Sequence, residues 1–139
     1  MHLEVALKRA GSFWLIEVPV LDVMTQGRTR KEAYAMLEDA VELLVGREGF
    51  EVSVHVAAGG APLSLSANDL DLLVALMLRR QRQKHGLTLR EVARRMGASS
   101  VNAFARYEQG KARPTLAKLM QLMGAIDPGL VPTLKLASP

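Results

Sequence analysis

The spacing of apolar residues changes near the middle of the chain, and this change constrains the fold more than any other feature. Before residue 57, apolar and polar residues alternate in several short runs, which is the period of a strand with one buried face. After residue 66, apolar residues recur every three or four positions, which is the period of a helix. The sequence therefore predicts an α+β chain in which a sheet-rich half precedes an all-helical half.

The first half is predicted to contain three strands, one helix and a fourth strand. The strand-like runs lie at 3–7, 13–18, 23–26 and 50–57. Between the third and fourth runs, Thr29 followed by Glu32 matches a capping box, and apolar residues then recur at helical spacing as far as Leu44. We therefore expect a β-β-β-α-β unit with one helix covering an antiparallel sheet.

The stretch AAGGAPLSLS (57–66) has the glycine, proline and serine content of a linker. It separates the two periodicities, so it is the natural place for a domain boundary. We predict a first domain over 1–58, a linker over 59–66, a helical domain over 67–128 and a C-terminal tail over 129–139.

The net charge of +4 is divided unequally between the two halves. Residues 1–68 contain six Lys and Arg against nine Asp and Glu, whereas residues 69–139 contain twelve against five. A basic half suits a phosphate-rich partner, but a solvated basic face would have the same composition. Charge alone leaves both interpretations open.

Composition also indicates where the protein works. The chain has no cysteine, which excludes disulfides and thiolate zinc sites. Its longest apolar run, at 70–78, is far shorter than the ~20 residues that a membrane helix needs, and its N-terminus lacks the order of a secretory signal. We expect a cytoplasmic protein with no membrane partner.

The helical half contains a short helix, a glycine turn and a second short helix, which are the elements of a helix-turn-helix. Ala93 is small enough to let two helices cross closely, and Phe104 and Tyr107 supply an apolar inner side for the second helix. The predicted base-contacting residues lie at the start of that helix or on its outer side; they are Val101, Asn102 and Arg106. A valine can touch a thymine methyl, asparagine can pair with adenine, and arginine can bind guanine through two hydrogen bonds.

Phosphate contacts are predicted from hydroxyl and basic side chains that flank the second helix. The candidates are Thr88, Arg90, Arg94, Ser100, Lys111 and Arg113. Such contacts would make affinity fall steeply with salt concentration.

The segments LTLREVARRMG (87–97) and ARYEQGKARPTLAKLMQLMGAI (105–126) resemble the Cro/cI-type helix-turn-helix family, which is also called the xenobiotic-response-element family. The matching positions are Thr88, Glu91, Ala93, Gly97, the stretch 107–111 and Pro114. The resemblance covers about residues 70–126 and implies a DNA-binding domain that acts as a dimer. The segment between Gly97 and Glu108 is one residue longer than the usual pattern, near Ser99, so two registers of the base-contacting residues remain open.

Residues 11–45 resemble the HicB antitoxin domain. The resemblance rests on Pro19, the Gln26-Gly27 turn, Thr29 and the Glu32-Ala33 pair. It implies a partial ribonuclease H-like fold, a HicA-type mRNA-cleaving toxin as partner, and repression of the chain's own operon. A DNA-binding regulator without a toxin partner is the alternative.

An enzyme is not expected. A ribonuclease H-like nuclease needs several carboxylates converging on paired metal ions, but only Glu17 and Asp22 are predicted near the sheet. The acids of the first helix, Glu32, Glu38, Asp39 and Glu42, are predicted to form its solvated face. His2, His55 and His85 share no metal-ligand spacing, and we expect no metal or cofactor. The six aromatic residues are better explained as core than as a platform for stacking RNA bases.

Overall fold

The computed structural model describes residues 1–136 and shows an α+β chain, as predicted: a curved five-stranded antiparallel sheet with one helix, then four further helices. A single turn of 3-10 helix, Pro19–Leu21, follows the second strand. The strands are β1 (Leu3–Ala10), β2 (Phe13–Val18), β3 (Val23–Gly27), β4 (Val52–Val56) and β5 (Leu63–Ala67). The helices are α1 (Arg30–Val45), α2 (Leu70–Lys84), α3 (Leu89–Arg95), α4 (Asn102–Glu108) and α5 (Leu116–Ile126).

The sheet has the order β3-β2-β1-β5-β4, with every neighbouring pair antiparallel. Alternation along each strand directs one set of side chains toward α1, and these form the core of the first half. Ile16 and Leu65 from the sheet are fully buried, as are Leu37 and Val41 from the helix. The alternating apolar pattern therefore identified the buried face correctly.

The predicted linker is wrong over residues 63–66, and the first domain does not end at residue 58. Residues 63–67 form β5, which lies between β1 and β4 in the sheet. Leu63 and Leu65 point into the core, whereas Ser64 and Ser66 lie on the other face. The period of two was present in LSLS, but the neighbouring glycines and proline obscured it. The first unit is therefore β-β-β-α-β-β.

Helix α1 begins where the sequence predicted and lies very close to the sheet. Thr29 is its N-cap and accepts a hydrogen bond from the amide of Glu32 at 3.0 Å. Just before it, Gly27 leaves no room for a side chain: a Cβ there would lie 2.4 Å from the backbone nitrogen of Ala33. Glycine at this position therefore lets the first turn of α1 rest directly on β3.

Two acids of α1 are not on its solvated face, contrary to the prediction. Glu38 and Glu42 are half-buried, and each accepts a hydrogen bond from an edge strand. The amide of Val54 donates to Glu38 Oε1 and the amide of Val52 donates to Glu42 Oε1, both at 3.1 Å. The carboxylates were misassigned because the sheet curves around α1 and brings its edge up to the side of the helix.

Helix α2 is shared by the two halves of the chain. It is buried over most of its length, because one side packs on the helical half and the other contacts α1 and the Pro19–Leu21 turn. Gln81 Nε2 donates to the carbonyl of Val20 at 2.8 Å, and Arg80 Nε donates to the carbonyl of Leu21 at 3.0 Å. These bonds satisfy turn carbonyls that the sheet leaves unpaired, so they fix the orientation of α2 relative to the sheet.

None of the helices in the described part of the chain is both long and apolar enough to cross a membrane. The tail carries no helix or strand over residues 129–136, and its last three residues lie outside the described residues.

Candidate nucleic-acid interface

Helices α3 and α4 and the turn between them are defined by local sequence signals. Thr88 and Glu91 form a reciprocal capping box at the start of α3, with hydrogen bonds of 3.1 Å and 3.0 Å. Gly97 adopts a left-handed conformation with φ of +75°, and the amide of Ala98 returns to the carbonyl of Ala93 at 3.0 Å. Ala93 itself is buried, so α4 can cross α3 closely at this point.

Helix α4 has a buried side and an exposed side. Phe104 is fully buried, which confirms the predicted inner side of this helix. Asn102, Arg106 and Gln109 are exposed at spacings of four and three residues, so they lie on one face. Val101 is half-buried and stands at the N-cap of the helix rather than within it. Two of the three predicted base-contacting residues therefore share one exposed face, together with Gln109, which the sequence prediction did not include.

A concave surface at the α3–α4 turn brings together predicted residues from both helices. Arg90 and Arg94 line it from α3, and Ser100 and Val101 line it from the start of α4. Ser100 Oγ also accepts a hydrogen bond from the amide of Asn102 at 3.2 Å, which holds the hydroxyl against the first turn. Ser99, the position where the segment is one residue longer than the family pattern, lines the same surface.

The remaining predicted phosphate contacts lie elsewhere. Thr88 caps α3 and does not line this surface, and Lys111 is exposed just after α4. Arg113 is exposed but forms a two-bond ion pair with Asp71 of α2, with Nε to Oδ1 at 2.9 Å and Nη2 to Oδ2 at 3.0 Å. This hydrogen-bonded pairing raises the pKa of Arg113. A phosphate at this position would compete with Asp71.

A buried ion pair between α2 and α4 was not predicted from the sequence. Glu108 is 8% exposed, and both of its oxygens accept from Arg82 at 2.7 Å, in the two-bond arrangement of a guanidinium and a carboxylate. Arg82 Nη1 also donates to the carbonyl of Leu87 at 2.9 Å. The hydrogen bond to Glu108 raises the pKa of Arg82 against the opposing effect of burial. This pair holds the C-terminal end of α4 against α2.

The C-terminal end of α5 also contacts the end of α2. The Asp127 carboxylate accepts from the amide of Gly129 at 2.8 Å and lies 3.0 Å from His85 Nε2. The backbone hydrogen bond and then the hydrogen bond with the imidazole lower the pKa of Asp127. Helix α2 is thus tied to both α4 and α5 beside the candidate interface.

The three histidines form no common site. His2 and His55 are distant in sequence, but their ring centroids lie 4.8 Å apart on the outer face of the sheet. Each hydrogen-bonds a serine of β5, whereas His85 lies at the end of α2. Within residues 1–136, no three His, Cys, Asp or Glu side chains are grouped closely enough to hold a metal ion.

The comparison with known families agrees with this geometry. Residues 74–134 match a family model described as a helix-turn-helix domain. The match covers most of α2 and all of α3, α4 and α5. No curated protein matches the chain significantly. The second half of the chain is therefore a helix-turn-helix domain of the DNA-binding class, as predicted from residues 87–126.

Proposed function

We propose that the protein is a cytoplasmic, dimeric transcriptional regulator of the Cro/cI type that binds a palindromic operator through α4. The observation that carries the proposal is the exposed face of α4, which carries Asn102 and Arg106, together with the concave surface at the α3–α4 turn that Arg90 and Arg94 line. Polar side chains at the start of a recognition helix contact base edges, and flanking cations contact phosphates. Two-fold symmetry would place the two α4 helices about 34–36 Å apart on the DNA.

Replacing Arg106 with alanine should weaken operator binding by about 1–3 kcal/mol while leaving binding to random DNA nearly unchanged. The reason is that a guanidinium on a base edge contributes sequence discrimination, whereas phosphate contacts do not. Operator binding can be measured by fluorescence anisotropy, using DNA from upstream of the protein's own gene and a shuffled duplex of equal length.

Two further variants make this measurement specific. Lys8→Ala removes the same charge from an exposed position on β1, so it should change neither affinity appreciably. Arg94→Ala should weaken binding to both duplexes equally, because Arg94 is assigned to a phosphate. It should also reduce the slope of log affinity against log salt concentration by about one. Equal losses on both duplexes for Arg106→Ala would refute its assignment as a base contact.

We further propose that the sheet half is a HicB-type antitoxin domain that neutralises a HicA-type mRNA-cleaving toxin, and that the chain represses its own operon. Support comes from the order of elements: Pro19 follows β2, Gln26 and Gly27 are the last two residues of β3, and Thr29 caps α1. The sheet half would act by covering the toxin, so we propose no catalytic activity for it. A DNA-binding regulator without a toxin remains the alternative, and the helix-turn-helix match accords with either.

The antitoxin proposal predicts a stable complex between the full-length chain and a small ribonuclease encoded next to it. Co-expression followed by affinity purification should recover both proteins, and the complex should not cleave mRNA. Arg106→Ala is the matched control, because it should weaken operator binding and leave the complex intact. Operator binding without any neighbouring toxin would favour the alternative regulator.

A further inference from the structure

The two edges of the sheet differ in how their backbone groups are satisfied. At the β4 edge, the amides of Val52 and Val54 point away from β5 and donate to Glu42 and Glu38 of α1. These carboxylates occupy the positions that the carbonyls of an added strand would take. This edge is therefore closed to further pairing.

The β3 edge is open. Among residues 1–136, no group hydrogen-bonds the backbone of Val23–Gly27 from the side opposite β2. Exposed edge strands are usually protected by charged residues, proline or bulges, but this strand contains only uncharged residues and pairs with β2 in unbroken register. Met24 is 61% exposed on it. The strand thus has the features of an edge that accepts another strand.

We propose that β3 pairs antiparallel with β3 of a second copy of the chain, joining the two sheets into one. In an antiparallel pair, residues directly opposite each other must both direct their backbone groups into the interface or both away from it. When a strand pairs with its own copy, the register that satisfies this rule and uses all five residues has Thr25 opposite Thr25. Val23 then faces Gly27 of the second copy, and Met24 faces Gln26 of the second copy.

The residues that flank β3 favour this register. Asp22 precedes the strand, with a left-handed backbone at φ of +52°, and Arg28 follows it, so this register brings each Asp22 close to Arg28 of the other copy. A shift by two residues would instead place Asp22 opposite Gln26 in one direction, or Arg28 opposite Met24 in the other. The Asp22 carboxylate is 46% exposed, and its contacts with Arg80 and Lys84 are long, at 4.0 Å each. Exposed ion pairs contribute little affinity, but opposite charges select one register over another.

A second copy of the chain is the partner that this geometry supports, since the pairing is self-complementary and has two-fold symmetry. The inference rests on the proposed function only in taking a dimer as the DNA-binding form. The Pro19–Leu21 turn lies just before β3 and is held by Arg80 and Gln81 of α2. Pairing through β3 would therefore fix the two helix-turn-helix domains relative to the two-fold axis.

Cysteine cross-linking tests the register, because the chain has no native cysteine. Thr25→Cys would place two thiols opposite each other across the two-fold axis, with their Cα atoms about 4.5–5.5 Å apart, which is within the range that a disulfide spans. Mild oxidation should convert most of this variant into a covalent dimer on a non-reducing gel. Ser53→Cys, an exposed residue on the closed β4 edge, should remain uncross-linked under the same conditions.

A charge placed on the open edge tests the interface without cross-linking. Met24→Lys would bring two cations close together on either side of the axis, and should raise the dimer dissociation constant at least tenfold by sedimentation equilibrium. Leu43→Lys is the matched control, because Leu43 is 80% exposed on α1 and lies beside residues 46–50, which lead into the closed β4 edge. This variant should dimerise like the wild type.

Three outcomes would overturn the inference: a monomeric wild type, a dimer unaffected by Met24→Lys, or cross-linking through Ser53→Cys instead of Thr25→Cys. Cross-linking of Thr25→Cys to a different polypeptide would assign the edge to that partner. Operator binding separates this inference from the proposed function. A dimer that forms through β3 but does not bind the operator would refute the proposed regulator function. A dimer that binds the operator but forms through another surface would refute only the β3 pairing.

Discussion

Replacing Glu108 with alanine should lower the free energy of unfolding by about 3 kcal/mol or more. Glu108 is buried, and its loss would leave the Arg82 guanidinium, only 15% exposed, without its carboxylate partner. The cost of an unpaired buried charge exceeds that of the lost hydrogen bonds alone. Urea unfolding followed by circular dichroism would measure the change, which is a large fraction of the stability of an ordinary domain.

Two control variants separate the effect of burial on the free energy of unfolding from the effect of losing a charge. Arg113→Ala removes the exposed partner of Asp71, an ion pair with similar two-bond geometry, and should leave the unfolding midpoint nearly unchanged. The double variant Arg82→Met with Glu108→Leu should recover most of the lost stability, because apolar side chains of similar size need no partner. A loss for Glu108→Ala as small as that for Arg113→Ala would mean that the Arg82–Glu108 pair is solvated.

Replacing Gly27 with alanine should destabilise the fold by about 3 kcal/mol. The new methyl group would meet the backbone of Glu32 and Ala33 at 2.4–2.8 Å, and backbone atoms in the first turn of α1 cannot move without moving the helix. Thermal unfolding of the purified variant would show a lower midpoint.

Gly11→Ala is the matched control for this substitution. Gly11 has φ of +60°, so alanine there carries conformational strain of about 1–2 kcal/mol, but nothing lies within 4 Å of the added methyl. Gly27 has no positive φ, so the larger loss expected there comes from the contact between β3 and α1 and not from backbone strain. If Gly27→Ala were no more destabilising than Gly11→Ala, α1 would have to lift from the sheet at little cost.

Local signals in the sequence were sufficient to place most of the elements. The Thr88–Glu91 capping box lies within four residues, and Gly97, which follows the end of α3, lies six residues further on, so the helix-turn-helix could be recognised from one segment. Strand β3 and the start of α1 could likewise be placed from neighbouring residues. Strand β5 was missed because a five-residue alternation is a weak signal beside two glycines and a proline.

The contacts that depend on tertiary structure could not be predicted in this way. Arg82 and Glu108 are 26 residues apart, and each alone has the sequence character of a solvated helix residue. The helical pattern alone assigns Glu38 and Glu42 to the solvent side of α1, and only the curvature of the sheet brings β4 to them. In the candidate interface, Gln109 joins Asn102 and Arg106 only once the first residue of α4 is known.

Three consecutive side chains of α2 bind the elements that pack on either side of this helix. The two halves of the protein are therefore not independent modules. Arg80 and Gln81 bind the carbonyls of the sheet's 3-10 turn, and Arg82 binds the recognition helix. A chimaera that joined this helix-turn-helix to a foreign sensing domain would expose both the apolar flank of α2 and the Gln81 amide. Grafting is therefore expected to succeed only if residues 19–22 are transplanted along with α2, so the helix-turn-helix alone is not a unit of exchange.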